Sequence, residues 1–206
     1  MRLLDRVHGD WIFRRRVRVL GEAGARAVQP LPIASLLDVG CGDGQITHTI
    51  SRAKPGLSVQ GIDVFVRKDA HIPVRVFDGL ALPFADASFD AVMAVDVLHH
   101  AAEPLNLLRE MERVSRRWIL IKDHEGNRPL ARAILRAMDW VGNQRHGVDL
   151  PYNYLSHTEW SDAFRSLGLR LVSRDPVSSL YAPPLNFAFG GDLQFFSVLE
   201  KQPAHA

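Results

Sequence analysis

The chain has 206 residues, of which 47% are hydrophobic and 23% are charged, and its formal net charge is +2. This length and composition predict one domain over residues 1–206. No apolar run reaches the roughly 18 residues that a membrane span needs, the first residues lack the apolar stretch of a secretory signal, and a single cysteine cannot form an internal disulfide. We therefore expect a cytoplasmic protein without a nucleic-acid partner, since the net charge is close to zero.

Residues 1–30 are predicted to form a basic helical segment. They hold seven arginines against three acids, a net charge of +4, and their apolar residues recur near helical spacing. Such a helix can pack over a ligand cleft with its basic face in solvent, and this is the interpretation we favour. The alternative is peripheral contact with a membrane surface through the basic face.

The stretch from Leu36 to Gly44 predicts a strand, a glycine turn and the start of a helix. Glycine allows positive φ and close approach of a ligand, and a helix N-terminus behind the turn leaves N–H groups exposed. A dinucleotide fingerprint beginning at Gly40 would need glycine at position 45, where the chain has Gln45. A phosphate loop would need Gly-Lys-Ser/Thr after the turn, which is also missing. Instead, Asp38 stands two residues before the first glycine.

Two further strands are predicted at 57–63 and 74–78, and each ends in an acid. Asp63 lies 21 residues beyond Gly42, about the distance at which a carboxylate binds ribose hydroxyls in Rossmann-type folds. Asp78 is followed by Gly79. Residues 64–72 are too short and too charged for a regular helix, so we expect a loop or a single turn there.

The remaining pattern alternates strands with helices and predicts a doubly wound, Rossmann-like α/β sheet with helices on both faces. Strands are expected near 35–40, 89–95, 117–122, 169–174 and 193–200, which makes seven with the two above. Helices are expected near 44–53, 104–115, 129–141 and 157–167. The carboxyl ends of the strands then share one edge, so His99, His100, Asp123 and His124 are candidates for the reacting groups.

Residues 125–156 are predicted to form an insertion on the substrate side. The part from Met138 to Tyr154 is rich in aromatic, amide and turn-forming residues. Long irregular loops beside a cleft are often lids. The equally acceptable alternative is a surface connection that Trp140, Tyr152 and Tyr154 anchor to the core.

Three stretches carry a resemblance to a known family. The stretch Leu36-Leu-Asp-Val-Gly-Cys-Gly-Asp-Gly44 resembles motif I of the class I S-adenosylmethionine-dependent methyltransferases. Downstream, Leu82-Pro-Phe-Ala-Asp-Ala-Ser-Phe-Asp90 and Leu98-His-His100 resemble segments of their small (type 11-like) domain family. The similarity runs from about residue 36 to 122.

The resemblance implies the cofactor S-adenosylmethionine, its product S-adenosylhomocysteine and a set of cofactor contacts. Asp38 would lie near the methionine ammonium, Asp63 at the ribose and Asp78 at the adenine amino group. We expect Cys41 to pack as a small side chain beneath the cofactor. The implied cofactor-binding residues are Asp38, Gly40, Cys41, Gly42, Gly44, Asp63, Val64, Asp78, Gly79, Asp96 and Val97.

The predicted function is methyl transfer to an oxygen, nitrogen or carbon atom of a small-molecule acceptor, without a metal. For a hydroxyl or amine acceptor, His100 or His124 is the predicted general base, with Asp123 orienting it. A nicotinamide-dependent oxidoreductase is disfavoured by Gln45. A non-catalytic protein that binds the cofactor or a partner remains the alternative. The acceptor, the oligomeric state and the arginine that contacts the cofactor carboxylate are left open.

Overall fold

The computed structural model describes residues 2–127, 132, 135, 153–177, 180 and 193–202. Its helices are α1 (Arg2–Val28), α2 (Gln45–Ala53), α3 (Pro104–Val114) and α4 (His157–Ser166), with a 3-10 turn at Leu98–His100. Its strands are β1 (Ser35–Val39), β2 (Ser58–Asp63), β3 (Val74–Val76), β4 (Phe89–Val95), β5 (Ser115–His124), β6 (Leu169–Pro176) and β7 (Gln194–Lys201). The predicted seven strands are confirmed.

The strands form one sheet in the order β3-β2-β1-β4-β5-β7-β6. Strands β1 to β5 pair in parallel, while β7 is antiparallel to both of its neighbours, β5 and β6. The strand order reverses between β1 and β4, so the crevice at their carboxyl ends is the expected ligand site. The prediction of a doubly wound, mostly parallel sheet is therefore confirmed.

Two hydrophobic cores cover the two faces of the sheet. On one face, Leu20 of α1 and Ile50 of α2 pack against Met93 and Leu120 of the central strands. On the other face, side chains of α3 and α4 contribute to a core that also contains Val92 and Ile119. Neighbouring residues of β4 and β5 thus point into opposite cores, as the period of two in a strand requires.

Helix α1 packs closely beside α2 and runs in the same direction. A Cβ atom at Gly21 would lie 2.8 Å from Thr49 Cγ2, and one at Gly24 would lie 2.5 Å from Ile50 Cδ1. At the far end, Lys54 Nζ donates to the carbonyl of Val28, the last residue of α1, at 3.3 Å and to the carbonyl of Leu31 at 2.7 Å. Because α1 is three times as long as α2, its first half extends beyond the carboxyl edge of the sheet.

Local predictions are confirmed at several points and corrected at one. Pro104 begins α3, Ser156 caps α4 in a capping box with Glu159, and residues 64–72 contain no helix. Strand β5 is longer than predicted, because Asp123 and His124 lie inside it instead of beyond its end. Most of the predicted helix 129–141, and residues 138–152 of the predicted lid, lie outside the described residues. In the part of the chain that is described, no helix is long and apolar enough to cross a membrane.

Candidate cofactor and acceptor site

The turn between β1 and α2 needs glycine at three positions. Gly40, Gly42 and Gly44 have φ values of +67°, +60° and +74°, which disfavour any residue with a Cβ. A Cβ at Gly40 would come within 2.5 Å of Val97 Cγ2, and one at Gly44 within 2.5 Å of Ile72 Cγ1. At Gly42 the nearest atom is Arg67 Cζ, at 3.7 Å. Side chains therefore pack tightly against the turn at Gly40 and Gly44, whereas more space remains beside Gly42.

Asp63 fixes the middle of this turn from the end of β2. Its Oδ2 accepts a hydrogen bond from the Gly42 amide at 2.8 Å, and its Oδ1 accepts one from the Phe65 amide at 3.1 Å. Each carboxylate oxygen has a second lone pair. The partly buried carboxylate can therefore still accept hydrogen bonds from two adjacent hydroxyls.

Asp38 is the most unusual acid of the site. It is 3% exposed, and its carboxylate accepts a hydrogen bond from the Thr47 hydroxyl on α2. Burial raises the pKa of Asp38 to about 7, although the bond from Thr47 acts in the opposite direction, and the charge of Asp63 adds to the rise. A buried carboxyl in this state would be stabilised in its ionised form by a cation placed beside it.

Cys41 packs beneath the turn. A Cβ at Gly61 of β2 would lie 2.4 Å from its sulfur, so the thiol fills the space that this glycine leaves. Burial raises the pKa of the Cys41 thiol, and the nearby carboxylates of Asp38 and Asp63 raise it further. These effects make Cys41 a weak nucleophile and agree with a packing role.

The residues after β2 and β3 lie together at the surface. Asp78 is exposed, and its Oδ1 accepts hydrogen bonds from the amides of Leu80 at 2.8 Å and Ala81 at 3.0 Å. These bonds lower the pKa of Asp78. Gly79 has φ +81°, and a Cβ there would be 3.3 Å from Val64, whose side chain is 61% exposed. The structure thus brings Val64 and Gly79 together and gives Asp78 a turn-stabilising role as well.

Asp96, immediately after β4, is held in a left-handed conformation with φ +57°. Non-glycine residues adopt it rarely, and it often marks functional positions. The Asp96 carboxylate forms ion pairs with Lys122 of β5 and Arg16 of α1. Although burial alone would raise the pKa of Asp96, the charges of Lys122 and Arg16 hold it well below its usual range.

Three histidine rings form a cluster next to this ion-pair group. The ring of His99 lies 3.9 Å from that of His100 and 4.7 Å from that of His124, measured between centroids. Tyr154 stacks on His99 at 5.5 Å. Asp123 accepts a hydrogen bond from His99 Nδ1 at 2.6 Å. Asp123, which we expected to orient the general base, is therefore hydrogen-bonded to His99 and not to His100.

His124 is buried between two carboxylates. Its Nδ1 lies 3.5 Å from Asp96 Oδ1 and 3.7 Å from Asp123 Oδ1. Burial lowers the pKa of His124, and the charge of Lys122 lowers it further. These effects favour the neutral form of the side chain. With a proton on Nδ1, next to the acids, the lone pair of a neutral ring lies on Nε2.

The side chains of His99, Asp123 and His124 offer metal-binding atoms within 4.8 Å of one another. However, the Asp123 carboxylate already accepts N–H groups from His99, from the His124 backbone at 2.7 Å and from Leu98 at 3.1 Å. Although burial would raise the pKa of Asp123, the charge of His99 and the side-chain hydrogen bonds of His124 and His99 lower it. The arrangement is that of a hydrogen-bonded His–Asp pair.

Sequence reasoning missed three partners of the site. Thr47 binds Asp38 from the first turns of α2, and Arg16 and Lys122 bind Asp96. The basic segment 1–30 did suggest an arginine near the cleft, but seven arginines were available. Lys122 gave no usable signal, because a lysine at a strand end is normally exposed, whereas this one is 0% exposed.

Comparisons with known proteins agree with this geometry. Residues 37–117 match the family described as "Methyltransferase domain". The methyltransferase GfsG of Streptomyces halstedii is 32% identical over 133 residues, which cover 54% of this chain and 48% of the relative. The chain thus spans about half the length of this curated relative, and about a third of the next one.

Solved structures extend the similarity to the whole fold. A candidate methyltransferase of Haloferax volcanii, in complex with the activator Trm112, has a TM-score of 0.69 at 19% identity, covering 96% of this chain and 97% of the other. A Burkholderia thailandensis 1,6-didemethyltoxoflavin-N1-methyltransferase with bound S-adenosylhomocysteine has a TM-score of 0.65 at 16% identity, covering 91% and 79%. Residues 37–117 are thus similar to the methyltransferase domain family, and the chain shares the fold of these solved methyltransferases.

Proposed function

We propose that the protein binds S-adenosylmethionine and transfers its methyl group to a small-molecule acceptor. The observation that carries the proposal is Asp38, a buried carboxyl with a pKa raised to about 7 beneath the glycine turn. An amino-acid ammonium beside it would supply the missing positive charge. The cofactor carries such an ammonium and, unlike a dinucleotide, carries no phosphate that would need basic residues.

The other ends of the cofactor have matching groups. Asp63 would accept the ribose hydroxyls with the lone pairs that Gly42 and Phe65 leave. Val64 and Gly79, which lie together, would flank the adenine, and Asp78 would accept its amino group through Oδ2, because Oδ1 already accepts two amides. Backbone at Gly40, Gly42, Gly44 and Val97 would complete the contact.

Asp96 and its arginine belong to the same site. The ion pair with Arg16 brings α1 to the carboxyl end of β4, next to Val97 and the glycine turn. Arg16 is the arginine of residues 1–30 that we propose as a partner for the cofactor carboxylate. Asp96 would hold the guanidinium in position for it.

The bound cofactor supplies a methyl group on a positively charged sulfur, and transfer is an in-line displacement by the acceptor. Protein groups contribute mainly by positioning the acceptor and excluding water. We propose residues 125–156 as the acceptor side of the cleft. Within this range, Asn153 Nδ2 donates to the Ala101 carbonyl at 2.9 Å and Tyr154 covers His99. The carboxyl-terminal end of this segment is therefore attached to the histidine cluster.

For a hydroxyl or amine acceptor, we propose His124 as the general base. The two carboxylates beside its Nδ1 favour a proton there and leave Nε2 as the accepting atom. Asp123 and His99 would be a positioning pair for this ring. His100, which is half-buried at the end of the 3-10 turn, is the second candidate for the base.

A screen with S-adenosylmethionine labelled on the methyl group tests this function. Candidate acceptors would be phenols, amines, quinol-type lipids and carbon acids, with an Asp38→Asn variant as the control for site-specific transfer. Labelled product from the native protein alone supports the proposal. Tight cofactor binding without transfer to any acceptor class would favour the alternative, a non-catalytic cofactor-binding protein.

A further inference from the structure

Helix α1 projects past the edge of the sheet where the cleft lies. Its second half packs against α2 through Gly21 and Gly24, and Arg16 reaches Asp96 at the carboxyl end of β4. The helix begins at Arg2. At 1.5 Å per residue, the part that precedes Arg16 is about 20 Å long and stands beyond the carboxyl edge.

One face of this helix is both basic and aromatic. Positions 11, 14, 15 and 18 share a face at helical spacing, opposite to the buried Leu20. Trp11 is 49% exposed, and Arg14 and Arg18 are exposed as well. The Arg15 guanidinium lies 5.9 Å from the centre of the Trp11 ring. We call these four residues the outward face of α1.

The charge of the chain is concentrated here. Residues 1–30 carry a net charge of +4, whereas the whole chain carries +2, so the rest of the chain is slightly acidic. Along residues 11–28 the sequence has five arginines and one acid, Glu22. A positive segment on an otherwise acidic protein is attracted to an anionic surface in one orientation only.

The side-chain types favour a lipid surface over a nucleic acid. Tryptophan prefers the membrane interface, where its ring is apolar and its N–H remains hydrated, and arginine extends to phosphate headgroups from an apolar stem. In the sequence, the spacing of three and four that joins Trp11 to Arg14 and Arg18 continues towards the amino terminus with the apolar residues Val7 and Leu4. The spacing therefore joins apolar residues to the arginines along one helical stripe.

We propose that the outward face of α1 docks the protein on an anionic phospholipid surface, with the carboxyl edge of the sheet turned towards the membrane. The attraction comes from the arginines, and Trp11 adds partial insertion into the interface. This docking does not depend on methyl transfer. The same membrane docking is expected whichever ligand the cleft binds.

Sedimentation with vesicles tests the proposal on the full chain. Vesicles of phosphatidylglycerol and phosphatidylcholine should bind the protein, vesicles of phosphatidylcholine alone should bind it weakly, and high salt should release it. Each arginine near such a surface contributes about fivefold in affinity. The double variant Arg14→Gln/Arg18→Gln should therefore bind roughly 25-fold more weakly, and Trp11→Ser should also reduce binding.

The matched control removes the same charge from the opposite face of the sheet. Arg109→Gln/Arg165→Gln changes exposed arginines of α3 and α4 that have only local partners, Asn106 and Asp162. This variant should bind vesicles like the native protein, and all variants should keep the native melting temperature. Equal binding to neutral and anionic vesicles, or equal loss in the control, would overturn the proposal. Binding to RNA that is stronger than binding to vesicles, and that Trp11→Ser leaves unchanged, would also overturn it. That result would identify a nucleic-acid surface instead.

Discussion

The hydroxyl of Thr47 donates a hydrogen bond to the carboxylate of Asp38, and this bond joins the first turns of α2 to the end of β1 beneath the glycine turn. The bond favours the ionised form of Asp38, but burial dominates and raises the pKa of the carboxyl to about 7. The buried carboxyl is therefore prepared for a cation, and among the described residues no positively charged side chain pairs with it. The first prediction and the final titration depend on this imbalance.

The first prediction is that Asp38→Asn stabilises the cofactor-free protein at alkaline pH while weakening cofactor binding. The folded-state pKa of Asp38 is raised from 3.8 to about 7. The folded protein thus binds the proton more tightly than the unfolded chain, and its stability falls as the pH rises through this range. The loss approaches roughly 4 kcal/mol at most. An asparagine at this position does not titrate, so the variant does not lose stability in this way.

Urea denaturation at pH 5 and pH 8 measures this difference. The free energy of unfolding of the variant should exceed that of the native protein at pH 8, with a smaller difference at pH 5. Asp43→Asn, a change of another acid in the same turn, serves as the control. A less stable Asp38→Asn protein at pH 8 would show that the carboxylate is already neutralised by a positive group.

The second prediction separates backbone strain from loss of ligand space at the glycine turn. Gly42→Ala and Gly56→Ala both place a Cβ at positive φ, +60° and +86°, and neither Cβ would meet a protein atom closer than 3.7 Å. Both should destabilise the fold by roughly 1 kcal/mol. Only Gly42→Ala should weaken binding of S-adenosylmethionine, as measured by calorimetry. Equal affinities in the two variants would contradict a cofactor contact at Gly42.

A third prediction concerns Asp96. Asp96→Asn leaves the fully buried Lys122 without its counter-charge, and breaking one side of a buried ion pair typically costs about 3–5 kcal/mol. Asp86→Asn is the control, because Asp86 is 79% exposed and its surface pair with Arg113 should contribute about 0–1 kcal/mol. Denaturant unfolding of both variants checks the difference. Similar free energies of unfolding would mean that Lys122 is neutral in the native protein.

The fourth prediction assigns the base. His124→Ala should lower the rate of methyl transfer to a hydroxyl or amine by roughly 10²–10⁴-fold while cofactor affinity is preserved. Because burial and Lys122 lower the pKa of His124 below 6.5, the native rate should rise with pH through a value below 6.5 and then remain level. The variant should lose this rise.

Single-turnover rates across pH provide the measurement. His157→Ala should behave like the native protein, since His157 is 58% exposed on α4. A large loss in His100→Ala together with a native rate in His124→Ala would transfer the role to His100. Native rates in both would leave positioning of the acceptor as the whole mechanism.

The geometry of the glycine turn could be predicted from the sequence because its signals are local. The turn requires glycine at positions 40, 42 and 44, where φ is positive, and the sequence signal for it lies within a few neighbouring residues. Asp63 follows from its distance along the chain to Gly42. Both features need only two neighbouring strands with the turn and helix between them, and such units have few alternative arrangements.

The arrangement around Asp96 and the histidine cluster could not be predicted in the same way, because its partners come from distant segments. Asp96 adopts positive φ although it is not a glycine, and it is held there by Lys122 and Arg16. The preference of Asp123 for His99 over His100 depends on the relative positions of β5 and the 3-10 turn, which residue spacing does not give. The burial of Lys122 could not be predicted either, because lysine usually lies at the surface.

Calorimetric titration with S-adenosylmethionine and with NAD, at pH 8 and at pH 6, shows whether the pocket above Asp38 binds this cofactor. We expect saturable binding of S-adenosylmethionine at pH 8 and no binding of NAD. We also expect roughly tenfold weaker binding of S-adenosylmethionine at pH 6, because only ionised Asp38, with its pKa of about 7, pairs with the ammonium. Saturable binding of NAD with no heat from S-adenosylmethionine would contradict the proposed cofactor.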